Sequence, residues 1–172
     1  MVLDFERIFM EALSHINYKK EHHEFPIHED EEDAAKHDFD GIIQRYGEMK
    51  WKVVDLLNGH YSEVLKDKFD HYNWLNHNEQ DELAYFLNEA GSNCLNHSEY
   101  KAPYKFHVWL GHKGFIVGIE QKGRGFPAHK VHHQKIKSGE GAAFEFFRKS
   151  KSRIFFDDPH DARMVFMEFK FE

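Results

Sequence analysis

The spacing of hydrophobic and polar positions along this chain changes once, near Pro103. Before it, the spacing is helical. Phe5, Ile8, Phe9, Ala12, Leu13 and Ile16 recur every three or four residues, which gathers them on one helical face. Pro26 and the acidic run Glu29–Asp33 break that pattern. Carboxylates suit the positive amino end of a helix, so a second helix is predicted from this run to about Leu57. It would turn Phe39, Ile43, Tyr46, Met49, Val53 and Leu57 inward and end at Asn58-Gly59. A shorter helical segment is predicted over Ser62–Trp74 from Val64, Leu65, Phe69 and Tyr72. Asn78, with Asp81 in the capping-box position, predicts the start of a helix running to about His97. That helix would bury Leu83, Phe86, Leu87, Ala90 and Cys94.

After Pro103 the period becomes two. Phe106, Val108 and Leu110 alternate with His107 and Trp109, His112-Lys113-Gly114 suits a hairpin loop, and Phe115–Glu120 reads as the partner strand. Gly123, Gly125 and Pro127 end that strand and open a polar loop to Ser138, followed by a helix over Ala142–Lys149. The chain finishes as a hairpin, Arg153–Phe156 and Arg163–Phe171, turned at Asp157-Asp158-Pro159-His160, with Val165, Met167, Phe169 and Phe171 on one face. Helices, hairpin, glycine loop, helix, hairpin: this order predicts an α+β two-layer sandwich, with helices on one face of a mostly antiparallel sheet. Residues 1–77 form a helical extension and 78–172 the main domain.

Composition narrows the functional classes. With 172 residues, 41% hydrophobic and seventeen Phe, the chain can bury a real core. A net charge of -7 argues against non-specific nucleic-acid binding, where cationic side chains supply most of the affinity. No apolar run approaches a membrane span, Met1–Glu21 is charged throughout, and the one cysteine excludes an internal disulfide, so the expected location is the cytoplasm. Fifteen histidines invite a metal reading, but His22-His23, His28, His37, His129, His132 and His133 lack regular zinc-ligand spacing and are expected to be solvated or locally hydrogen-bonded.

The chemistry concentrates around one helix and two glycine clusters. Glu89, Asn93 and His97 are four residues apart and form a polar stripe at the edge of the helix's apolar face. Gly123-Arg124-Gly125 follows a strand, and Gly139-Glu140-Gly141 precedes a helix. Glycine lets a ligand approach the main chain, and a helix amino terminus offers free N–H groups to phosphate. Lys130, Lys135 and Lys137 lie between the clusters and could close over an anion. Together these features describe a nucleotide pocket.

From Asn78 onward the sequence resembles the histidine-kinase-like (GHKL) ATPase superfamily, most closely its anti-sigma-factor serine kinase branch. Glu89-x-x-x-Asn93-x-x-x-His97 is similar to that branch's asparagine box, Gln121-Lys122-Gly123-Arg124-Gly125-Phe126 falls at the Asp-x-Gly-x-Gly motif, and Gly139-Glu140-Gly141-Ala142-Ala143 at the Gly-x-Gly-Leu-Gly box. The resemblance implies an ATP site with Mg²⁺ held by Asn93 and Glu89 as general base. Gln121 and Gly125 would lie at the adenine, and Lys130, Lys137, Gly139 and Gly141 at the phosphates. It also implies phosphoryl transfer to a protein serine or hydrolysis, with a regulatory protein as partner. The family's adenine-reading Asp is Gln121 here, and Ala142 and Ala143 replace Leu and Gly. A neutral glutamine carbonyl can accept the same hydrogen bond at a cost of about 1–2 kcal/mol relative to a carboxylate. That substitution and the amino-terminal helices also support an alternative, a degenerate relative acting in protein interaction or homodimerisation. His15 is a candidate phospho-acceptor of the sensor-kinase kind.

Overall fold

The computed structural model describes residues 3–27, 39–65, 68–70, 81–88, 103–138 and 152–171. Their elements run α1 (Phe9–His15), β1 (Tyr18–Pro26), α2 (Phe39–His60), α3 (Glu82–Tyr85), β2 (Lys105–Gly111), β3 (Gly114–Glu120), α4 (Ala128–Ser138), β4 (Arg153–Phe156) and β5 (Met164–Lys170). The strands form one five-stranded sheet in the order β1-β2-β3-β5-β4, every neighbouring pair antiparallel. The α+β class and both hairpins of the second half agree with the period-two pattern. The hairpin loop is His112-Lys113, because Gly114 already pairs with Lys170 on β5.

The alternation sorts side chains between two faces. Phe106, Val108 and Leu110 on β2, Phe115, Val117 and Ile119 on β3, and Val165 and Met167 on β5 are buried in the larger core with Ile42, Val53, Val54 and Leu57 of α2, Leu83 of α3 and Val131 of α4. Phe169 and Phe171 pack against that core, as expected from their shared face. The opposite face carries Trp109, Ile116, Phe155 and Phe166, covered by Ala12 and Ile16 at the end of α1. Helices therefore cover both faces: α2, α3 and α4 on one, α1 on the other. This corrects the expectation of a single helical layer.

Several local expectations change as well. Tyr18–Pro26 is an edge strand paired with β2, although its Lys- and Glu-rich sequence has little strand propensity of its own. Non-local pairing decides it. Tyr18 pairs with Gly111 and Glu21 with Leu110, so three steps of β1 span one step of β2 and two extra residues are taken up in a bulge. Lys20 occupies that bulge at φ 60°. Two extra residues keep the alternation in phase, so Tyr18, His22 and Glu24 share a face with Trp109 and His107. The polar stretch after Pro127 is α4 rather than a loop: Pro127 precedes the first turn, where its missing N–H costs nothing, and Ala128 and Val131 are buried three residues apart. The described part of Ser62–Trp74 is a turn and irregular chain, not a helix. Asp81 caps α3, its side chain accepting from Ala84 N (3.0 Å) and from the backbone of Asp70. Asn78 and the predicted helix over Ala142–Lys149 lie outside the described residues.

Candidate functional site

β3 delivers the chain into a turn, Gln121–Phe126, that is stitched to the segment leading into β5. Gln121 N donates to Arg163 O (2.9 Å), and Phe126 and Ala162 exchange backbone hydrogen bonds of 3.0 and 2.7 Å. Gly123 takes φ 92°, a conformation L side chains rarely adopt, and Arg163 Nε donates to its carbonyl at 3.3 Å. At Gly125 an added Cβ would overlap the Asp161 carboxylate. The two glycines therefore shape this turn.

Gln121 itself is 2% exposed. Its amide nitrogen donates to Arg124 O (3.1 Å) and Ala162 O (2.9 Å), which consumes both hydrogens and fixes the orientation of the amide. The carbonyl Oε1 is buried and has no hydrogen-bond partner among the described residues. A buried acceptor left unpaired costs about 1–3 kcal/mol, which makes this oxygen the atom of the turn that gains most from a donor. Glu120, one residue earlier, points to the opposite face and bonds His107, so it cannot substitute for Gln121 in this turn.

Gln121, Gly123 and Gly125 thus occupy one turn, and Lys130 is exposed in the first turns of the helix that follows. Lys137 lies two turns further along α4. Glu89, Asn93, His97, Gly139 and Gly141 lie outside the described residues. The chain just before Glu89 is tied down: Asn88 Nδ2 donates to Ala84 O (2.9 Å), and Lys50 of α2 donates to Asn88 Oδ1 at 2.5 Å while lying 4.3 Å over the Tyr46 ring. Burial lowers the Lys50 pKa from 10.5 to about 8.

That shift has a testable sign. Below pH 8 the folded and unfolded chains both hold the lysine proton; between pH 8 and 10.5 the unfolded chain holds more, so this group's contribution to stability rises with pH. Burial pushes Tyr61 up to about 12, which lowers stability only above pH 10. In urea unfolding at pH 7, 8, 9 and 10, the wild type is expected to gain stability relative to Lys50→Met as pH rises. A constant difference across the series refutes it.

A second polar cluster lies on the other face, over β1, β2 and β3, and sequence reasoning missed it. His22 Nε2 and His107 Nδ1 are 2.9 Å apart, Glu24 Oε1 is 3.7 Å from the same His107 nitrogen, and Glu120 Oε2 is 2.6 Å from His107 Nε2. Both imidazoles stack on Trp109, at 4.6 and 5.3 Å between centroids and within 10° of parallel. Gly118 leaves room for that indole, since a Cβ there would sit 2.9 Å from Trp109 Cζ3. Burial and the neighbouring His107 hold the His22 pKa below its ordinary value. Read as helix, His22 and Glu24 fall about 200° apart. Read as strand, they share a face, and this alternation was the available signal. His15 is held elsewhere on this face, its Nδ1 2.8 Å from Glu168 Oε2 and its Nε2 3.1 Å from Lys170 Nζ.

No family model, curated protein or solved structure matches this chain. Among the described residues, no helix is long and apolar enough to cross a membrane.

Proposed function

We propose that the chain binds an adenine nucleotide with Mg²⁺ at the carboxyl end of β3, in the manner of histidine-kinase-like ATPases. The observation that carries this reading is the unpaired, buried carbonyl of Gln121, in the turn where the resemblance expects adenine to be read. Its own amide nitrogen is committed to two backbone carbonyls, so the side chain offers a fixed acceptor, and the adenine amino group is a donor. On this reading Gly123 and Gly125 shape the base-binding turn, and Lys130, Lys137, Gly139 and Gly141 face the phosphates. Asn93, beside His97 in the same box, holds Mg²⁺, and Glu89 serves as base for transfer to a regulatory protein's serine or to water. Phosphoryl transfer asks mainly for positioning and charge neutralisation, which such a set supplies.

Isothermal titration of the full chain with Mg-ATP, Mg-ADP and Mg-ITP tests the proposal. ITP replaces the purine amino donor by a carbonyl acceptor, so it is expected to bind about tenfold or more weakly than ATP, because Gln121 Oε1 then stays unpaired. Asn93→Ala is expected to remove the Mg²⁺-dependent part of the affinity while leaving the fold intact. No heat with millimolar ATP would overturn the proposal in favour of an interaction or dimerisation module, and equal affinity for ATP and ITP would remove Gln121 from base recognition.

A further inference from the structure

We propose that His22, Glu24 and His107 form a binding site for a divalent transition ion of the zinc type, separate from the nucleotide turn. One ligand atom from each side chain lies within 4.8 Å of the other two. Zinc–nitrogen bonds of about 2.0–2.1 Å in a tetrahedral site imply edges between ligand atoms of about 3.3 Å. The two edges at His107 Nδ1, 2.9 Å to His22 and 3.7 Å to Glu24, bracket that value. Those two edges need shifts of a few tenths of an ångström, and the third, between His22 and Glu24, lies within 4.8 Å and closes by at most about 1.5 Å through rotation of two exposed side chains.

The fixed member of the set is His107. It is 6% exposed, stacked on Trp109, and its Nε2 is held by Glu120 at 2.6 Å. A carboxylate on Nε2 places the ring hydrogen there and leaves the Nδ1 lone pair pointing toward His22 and Glu24. Carboxylate–histidine pairing of this kind orients imidazole ligands behind many metal centres. Glu24 lies directly opposite His107 in the β1–β2 register, and His22 is two residues away on the same face, so the strand pairing itself assembles the site. Lys105 Nζ, 3.7 Å from Glu24 Oε1, is the competing cation; that contact is long and its partner exposed, so an ion can displace it. Two imidazoles and one carboxylate suit zinc, cobalt, nickel or copper better than Mg²⁺ or Ca²⁺, which take oxygen ligands. Three protein ligands leave a coordination position facing solvent, open to water or to a group from a ligand.

The test is zinc titration of the full, chelator-stripped chain by calorimetry, with cobalt as a spectroscopic reporter of tetrahedral geometry. Because the chain carries fifteen histidines, the variant set must separate this site from the His129, His132 and His133 group on α4. One zinc equivalent is expected to bind the wild type and His133→Ala alike. Affinity is expected to fall at least about tenfold in His22→Ala, and about ten- to hundredfold in Glu120→Gln, which touches the ion only through His107. His22 is exposed on an edge strand, so its variant should fold; Glu24→Gln serves in its place if circular dichroism shows otherwise. Zinc affinity unchanged in His22→Ala or Glu24→Gln, loss of the tight equivalent in His133→Ala instead, or no zinc binding by the wild type overturns the proposal.

Discussion

Replacing Arg7 by Met is expected to destabilise the fold by about 3–5 kcal/mol, because it leaves a buried carboxylate without its charge partner. Glu168 is 4% exposed on β5, on the face covered by α1. Arg7, just ahead of α1, places Nη2 2.6 Å and Nε 3.2 Å from Glu168 Oε1, while His15 at the end of the helix bonds Oε2 at 2.8 Å. Lys170 Nζ donates to the other nitrogen of His15 at 3.1 Å, which puts the His15 hydrogen on the atom facing Glu168. The imidazole then contributes a hydrogen bond, and Arg7 contributes the compensating charge. Both side chains of the pair are largely out of water, at 11% and 3%, so solvent cannot take over the role of Arg7. The double variant Arg7→Met, Glu168→Leu removes the orphaned charge with its partner and is expected to recover most of the lost stability. Chemical denaturation of the four members of this cycle checks it. If Arg7→Met costs under about 1 kcal/mol, the pair behaves like a surface salt bridge and α1 is held by its apolar contacts alone.

The same network shows why parts of this fold could be read from the sequence and others could not. β2, β3 and β5 each send one alternating set of large apolar residues into the larger core, so a local window already contains the decisive signal. α1 and α2 are legible by helical spacing, but the spacing misplaces two residues: Ile8 and Ile43 are 56% and 50% exposed, and Ile42 is buried where the spacing points Ile43 inward. β1 has no such stripe: its charged residues acquire strand structure only by pairing with β2, about 85 residues later in the chain for the His22–His107 contact. Missing that strand also hid the cluster of His22, Glu24, His107 and Glu120, because three strands must be in register before those side chains meet. α4 reads as a loop in the sequence because, among its described side chains, only Ala128 and Val131 are buried, too short a stripe to stand out among histidines and lysines. The identity of Gln121 was visible, but the orientation of its amide depends on Arg124 O and on Ala162 O across the turn, which no local pattern encodes.

The second large effect is expected at the tip of the β2–β3 hairpin, where three segments meet around Gly111. Tyr61, just past α2 and 4% exposed, directs its hydroxyl to Gly111 O (2.9 Å) and Gly114 O (3.1 Å) and accepts from Gly111 N at 3.0 Å. The turn after α1 joins the tip independently, through His112 N to Asn17 O (3.0 Å) and Lys113 N to Ile16 O (2.9 Å). A Cβ at Gly111 would overlap the Ile16 carbonyl oxygen and lie 2.9 Å from that of Gly114. Both obstacles are backbone atoms in hydrogen bonds, so neither can swing aside as a side chain end could. Gly111→Ala must push the α1 turn off the hairpin, which adds the loss of the Lys113–Ile16 bond to the overpacking cost and totals about 3 kcal/mol or more. For a domain of this size that corresponds to a fall in melting temperature of about 6–12 °C. Tyr61→Phe, which keeps the ring and orphans Gly111 N, is expected to cost less, about 1–3 kcal/mol. Thermal unfolding of the two variants beside the wild type reads the order directly. If Gly111→Ala melts with the wild type, the hairpin tip has slack, and the close approach of the α1 turn is not what holds the opposite faces of the sheet in register.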